Sequence, residues 1–347
     1  MPESRVERRM GEPDAIFGPP DPIPVQAEGQ MPYVHIRVPT DFPEDRWVQS
    51  LEIQPEAAEV VHHVLVFALP PPDPQRPPLD PLRERISERD GFFAAYVPGA
   101  EMVQYPEGYA KRLPQGASLL FQLHYTPDGR TRVDRTRLGL RFAKEKPRYA
   151  VHTVGIANPR LAIPAGVEAH EEKAGIPVPT DVVLLGLSPH LHLRGKSFRF
   201  ELVAPGGERR TLLDVPRYDF NWQLTYKLRE PLALAKGSRI DVTAVFDNSK
   251  GNPANPNAEV PVRWGPQSTD EMLIGYVEYF VADPEADGPR TEAIPSIAPS
   301  PGCRTGIHSS AIALRFLSAI WAARPNLRFP TSCNRLRTIR PRFDATP

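Results

Sequence analysis

The chain has almost no cysteine. Its two, Cys303 and Cys333, lie close to the C-terminus, so no disulfide can form within residues 1–302. Cysteine usage therefore says nothing about whether the surrounding compartment is oxidising. Net charge is absent too, with 42 basic against 42 acidic side chains. That balance, without any basic-aromatic patch, argues against nucleic acid as a partner. No phosphate-binding loop and no nucleophile–histidine–acid arrangement stands out. The longest apolar stretch, 311–323, is too short to span a membrane and carries Arg315. The opening MPESRVERRMGEPDAIFGPP lacks the apolar core of a secretory signal. A 3.6-residue hydrophobic period is missing as well, which leaves long amphipathic helices without support.

Proline is what abounds. Its 43 residues, with 23 glycines, leave little room for long helices and fit many strands joined by turns. β-Branched and aromatic runs bounded by prolines and acids predict strands at 33–38, 46–53, 60–69, 92–97, 118–126 and 136–143. After a short charged joint at 144–149 they recur at 150–157, 181–188, 197–204, 223–228, 239–247 and 271–280. The expected class is all-β, with two antiparallel β-sandwiches in tandem. The expected boundaries are an N-terminal extension (1–30), a first sandwich (31–146), a second (147–286) and a Pro/Ser/Arg-rich tail (287–347). Residues 290–347 hold nine arginines, no lysine and two acids, a charge of +7 against −7 for residues 1–289. Such a tail is expected to be disordered, with at most one short helix near 311–322.

The chemistry lies in histidines. His190 and His192 stand two apart in a strand-like segment, so both imidazoles leave one face and can reach one metal without distorting the backbone. Gly195 and Lys196 follow, which places the pair where a strand runs into a turn and a metal could keep an open position. Alone, this spacing describes a polar pair on a solvated face equally well. His62 and His63 are adjacent and would face opposite ways on a regular strand; only a bulge or strand end lets both serve one metal. With His124 they make a three-imidazole set that suits zinc as well as copper. The other reading is one buried and one exposed histidine. Met272, in TDEMLIGYVEYF, is core filler by local pattern. Beside imidazoles its thioether would favour soft Cu(I). His35 reads as a strand-surface residue, and Trp222, Tyr226 and Trp264 as core or cleft wall.

In their order, VVHHVLVF, FQLHYTPDG, SPHLHLRGKSFRF and STDEM resemble the copper type II, ascorbate-dependent monooxygenases. This is the family of peptidylglycine α-hydroxylating monooxygenase and dopamine β-monooxygenase. The resemblance covers about residues 45–282, and PEGYAKRLPQGASLLFQLHY (106–125) is similar to the bacterial members in particular. It implies two jelly-roll-like sandwiches and two copper ions facing each other across a solvent cleft. His62, His63 and His124 would hold an electron-transfer copper. His190, His192 and Met272 would be both metal ligands and the catalytic set, holding the copper that activates dioxygen. Ascorbate or another small reductant would be the co-substrate. Gln122, on the strand face of His124, is a candidate to support the first copper, and His170 the second. Tyr276 matches a substrate-cleft tyrosine.

Departures from the family pattern matter too. The peptide-amidating members carry an arginine two residues before HxH and an asparagine two after the methionine; here these are Ser188 and Ile274. Without the arginine a bidentate carboxylate grip is lost, which argues against a C-terminal glycine peptide as substrate. The implied partners are a small-molecule substrate and O2, with redox domains or proteins as further candidates. No nucleic-acid contact and no membrane span is expected. By resemblance the site of action is periplasmic or extracellular, although no signal segment is visible. Two rivals use the same residues: a copper carrier without catalysis, and a jelly-roll binding module with structural histidines.

Overall fold

The computed structural model describes residues 9–71 and 91–285, and every regular element among them is a strand. The first half supplies β1 (Ala15–Phe17), β2 (Ile23–Val25), β3 (Val34–Pro39), β4 (Arg46–Gln54), β5 (Val61–Leu69), β6 (Phe92–Tyr96), β7 (Val103–Gln104), β8 (Tyr109–Leu113), β9 (Ser118–Tyr125), β10 (Arg132–Asp134) and β11 (Arg137–Phe142). The second supplies β12 (Tyr149–Ala157), β13 (Ala162–Ile163), β14 (His170–Pro177), β15 (Val182–His190), β16 (Gly195–Val203), β17 (Arg209–Val215), β18 (Tyr226–Leu234), β19 (Arg239–Phe246), β20 (Val262–Arg263) and β21 (Ile274–Val281).

Period-2 alternation explains the layers. In β9, Leu119, Phe121 and Leu123 face one way and meet Val48, Leu51 and Ile53 of β4 in a buried core. That core lies between the β3-β9-β5-β6 sheet and the β1-β11-β4-β8 strands. In the second half Phe198 and Phe200 of β16, with Val242 and Phe246 of β19, meet Leu184 of β15 and Val277 of β21. Here the layers are β14-β19-β16-β17 and β12-β21-β15-β18. The all-β sandwich expectation holds.

The halves are joined by more than a linker. β8 and β12 pair in parallel through Tyr109↔Tyr149 and Ala110↔Ala150, so one sheet of order β1-β11-β4-β8-β12-β21-β15-β18 crosses the whole described body. A buried polar knot sits at this seam. Lys111 Nζ lies 3.2 Å from Glu278 Oε1 and donates to Thr153 Oγ1 at 2.9 Å. The Tyr105 hydroxyl donates to the same carboxylate at 2.6 Å.

One boundary needs correcting. The expected extension over 1–30 is integral to the first sandwich from residue 10 onward. β1 pairs with β11, β2 pairs with β10, and Met10, Ile23 and Val25 are buried. Short apolar triplets between prolines suffice at a sheet edge, where a ladder on only one side is needed. Residues 286–347 lie outside the described residues. The expectations of a disordered tail and a helix near 311–322 fall there. Among the described residues no helix is long and apolar enough to cross a membrane.

Candidate metal centres

His62 is the extra residue of a β-bulge. β5 and β9 pair as Val61↔Tyr125 and His63↔His124, and the register shifts between Val61 and His63. The bulge brings two adjacent imidazoles to one side, and antiparallel pairing adds His124. Ligand atoms of all three lie within 4.8 Å of one another. The Nδ1 atoms of His62 and His63 are 3.0 Å apart, and Nδ1 of His124 is buried with no hydrogen-bond partner. Tyr33 packs edge-on against His124 and His63, at 4.6 and 5.5 Å between ring centroids. Buried Asp134 anchors the neighbouring backbone by accepting from the Tyr125 hydroxyl and from Glu56 N and Ala57 N.

The second cluster forms where β15 ends. His190 is the last residue of that strand, and Leu191 turns into the core. Tyr218 clamps this exit: its hydroxyl accepts from Leu191 N at 2.9 Å and donates to Leu191 O at 2.8 Å. The rings of His190 and His192 are 5.2 Å apart and only 7% and 1% exposed. Met272 is buried too, in a small apolar cluster with Ala157, Ile274 and Tyr276. What ties it to the histidines is Glu271, a fully buried carboxylate that sequence reasoning missed. Its Oε2 accepts from His192 N at 2.9 Å and Met272 N at 3.2 Å, while Oε1 accepts from Arg194 N at 2.6 Å. Burial pushes the Glu271 carboxyl up to about 8, against the pull of those N–H donors. The one sequence signal was an acid directly before the methionine.

Tautomers follow from the partners. Asn221 Oδ1 can only accept, so His62 carries its proton on Nε2 (3.1 Å) and leaves the Nδ1 lone pair for the cluster. Gln223 Oε1 (2.6 Å) and Asp270 O (3.3 Å) instead fix protons on Nδ1 of His190 and His192, leaving Nε2 of both as donors to a metal. Burial keeps the imidazoles neutral: it lowers His62, brings His124 to about 3 and His190 to about 4, and holds His63 and His192 well below the usual range. A neutral, desolvated ring with a free lone pair is a ready metal ligand. The converging imidazoles of the first cluster with the unpartnered His124 Nδ1, and the paired Nε2 atoms left by His190 and His192, fit copper.

A cleft of about 900 Å³ opens beside the first cluster, lined by residues of both halves that include His62, His124, Arg217, Phe220 and Asn221. His190, His192 and Met272 are not among its walls. Phe220 lies between, stacked on His62 at 4.4 Å and 6.3 Å from His192.

The structure brings other candidates elsewhere. Gln122 lies 3.0 Å from His35 on β3. His170 starts β14 and is bonded to Glu172 at 3.1 Å, not to either ring of the pair. Tyr276 joins the Met272 cluster but is buried against Phe92, stacked at 4.4 Å, and does not line the cleft. Trp264 packs against the same cluster, whereas Trp222, expected in the core or the cleft wall, is 56% exposed and lines neither.

Residues 157–293 match the family model described as "Copper type II ascorbate-dependent monooxygenase, C-terminal domain". In its second half the chain is similar to that family. The matched segment contains His190, His192, Glu271 and Met272; His62, His63 and His124 lie before it. A mouse protein, "DBH-like monooxygenase protein 1", is 30% identical over 132 residues, which cover 38% of this chain. The aligned part spans a fifth of the mouse protein's length. Among solved structures, "Structure of infectious bursal disease virus Gx strain" aligns at 8% identity and a TM-score of 0.20, covering 69% of this chain and 58% of that one. "Crystal structure of infectious bursal disease virus VP2 subviral particle" aligns at 10% and 0.21, covering 78% and 76%. Superpositions this loose carry no argument about fold or role.

Proposed function

We propose that this protein is a copper-dependent monooxygenase that hydroxylates an organic C–H bond, using O2 and a small reductant such as ascorbate. One oxygen atom would enter the substrate and the other leave as water, so two electrons must come from the reductant. One observation carries the reading: two imidazole clusters close to one cleft present opposite nitrogens, Nδ1 in the first and Nε2 in the second. Bound copper would supply one-electron storage at each cluster and dioxygen activation at one of them.

The two sets suit different tasks. His62, His63 and His124 form an all-imidazole set beside the cleft, suited to electron entry. His190 and His192 form the buried set with Met272, whose backbone N–H shares the Glu271 carboxylate with that of His192; there a thioether would favour Cu(I). Two coppers per chain follow, and the substrate is a small molecule entering by the cleft. By family resemblance the protein works in the periplasm or outside the cell, and redox domains or proteins are candidate electron partners.

Copper stoichiometry with X-ray absorption on the ascorbate-reduced protein tests the reading. Two coppers, one of them with a sulfur neighbour, are expected, together with substrate-stimulated O2 uptake. Two coppers with no O2 uptake across a substrate panel would favour a carrier. No retained copper would leave a binding module.

A further inference from the structure

One connection touches both clusters. Between β17 and β18 the chain runs through residues 216–225, and four side chains in succession along it meet the imidazoles or their backbone. Tyr218 holds Leu191 at both N and O, which fixes the turn between His190 and His192. The Phe220 ring stacks on His62 with its plane tilted by 23°, and stands 6.4 Å from His124 and 6.3 Å from His192. Asn221 accepts from His62 across the two halves, and Gln223 accepts from His190.

These acceptors are oriented in advance. Asn221 Nδ2 donates to Asp219 Oδ1 at 3.2 Å, and Asn221 N donates to the same oxygen at 2.8 Å. The amide oxygen is thus turned toward His62. Gln223 Nε2 donates to Phe220 O at 2.8 Å, which turns Oε1 toward His190. The loop is closed on itself, with Trp222 N donating to Asp219 O at 2.9 Å. A single short, self-bonded segment therefore dictates the tautomer of one ring in each cluster and places an aromatic ring between them.

We propose that residues 218–223 act as one positioning loop that fixes the separation and mutual orientation of the two metal centres. Asn221 positions His62 from the opposite half, Gln223 positions His190, and Phe220 is the spacer. This rests on the two-copper reading above. Because Asn221 belongs to one half and His62 to the other, the two centres are held as a unit and the loop is more than cleft wall.

Two measurements test it. The first uses the metal-free protein and needs no copper. In wild type, 15N NMR should show His190 with its proton on Nδ1, and Gln223→Met should move it toward Nε2. A wild-type His190 protonated mainly on Nε2, or no shift in the variant, overturns the Gln223 role whatever the metal content. The second reads magnetic dipolar coupling between two Cu(II) ions by EPR, with copper counted in parallel. Phe220→Ala and Asn221→Ala should change or broaden the coupling, and Asn221→Ala should also alter the first centre's signal or lose its copper. Asn221 is exposed, so that variant should fold. Two coppers in wild type with unchanged coupling in both variants overturn the loop proposal and leave the enzyme reading standing. Fewer than two coppers in wild type overturn the two-copper reading and the spacing role together.

Discussion

The two histidine clusters solve one problem by different means. In the first, the backbone does the work: a bulge at His62 and antiparallel pairing at His63↔His124 aim three rings at one point, close beneath the cleft. In the second, the backbone leaves the sheet altogether, and side chains hold it. Glu271 and Tyr218 bond the turn's own N–H and C=O groups; Leu193, Gly195 and Tyr218 reach the cleft wall, while His190 and His192 do not. A site built on sheet pairing inherits the rigidity of the ladder. One built on a strand exit depends on a few buried hydrogen bonds, and it is correspondingly vulnerable to losing one of them.

The comparison breaks most sharply at Met272. Met272→Ile keeps the buried volume, so stability should change by about 1 kcal/mol or less. Turnover should vanish, the sulfur neighbour should disappear from the absorption spectrum, and the first cluster should keep its copper. Retained substrate hydroxylation in this variant would return Met272 to core filler. Glu271→Ala comes next. It strips three buried N–H groups of their acceptor, at a cost on the order of 3–5 kcal/mol from about 1–3 kcal/mol for each unsatisfied donor. Denaturant unfolding should show this loss, and copper analysis should show the second site emptied before the first. If both sites empty together, the clusters are not built independently.

Much of this was legible in the chain, for local reasons. Strands such as 60–69 and 118–126 announce themselves by β-branched and aromatic runs, and both appear within two residues of their expected bounds. The adjacency of His62 and His63 demanded a bulge or a strand end, and a bulge is present. What local pattern could not show is where polar residues end up. β14, HEEKAGIP, reads as loop because an edge strand can leave its charged residues in water. Glu271 opens an expected strand, and nothing local marks it as buried; the N–H donors of His192 and Arg194 that meet it there lie 79 and 77 residues away. Asn221 and Gln223 carry no pattern at all, since their partners lie 159 and 33 residues away.

Acidification should come third, with a sign fixed by burial. His190 is held down to about 4 from an ordinary 6.5, so between those values the unfolded chain binds the extra proton. In the metal-free protein this stability is present above about pH 6.5 and is lost as pH falls toward 4, about 3 kcal/mol in all. Urea midpoints taken across that range should fall, and His190→Gln should flatten the slope. An unchanged slope in that variant would mean that other groups carry the acid sensitivity.

The smallest effect should come from Trp222→Ala. Trp222 is flanked by Asn221 and Gln223 yet is mostly exposed, and its backbone N–H, which the substitution keeps, closes the turn onto Asp219. Truncating the ring removes bulk from the loop without touching either amide. Stability should change by about 0.5 kcal/mol or less, and copper content and EPR signals should stay as in wild type. A large change would mean that the loop acts by its bulk against the cleft and not through its two oriented amides. That result would erase the contrast between a ladder-built centre and a side-chain-built one, because both would then lean on the same packed surface.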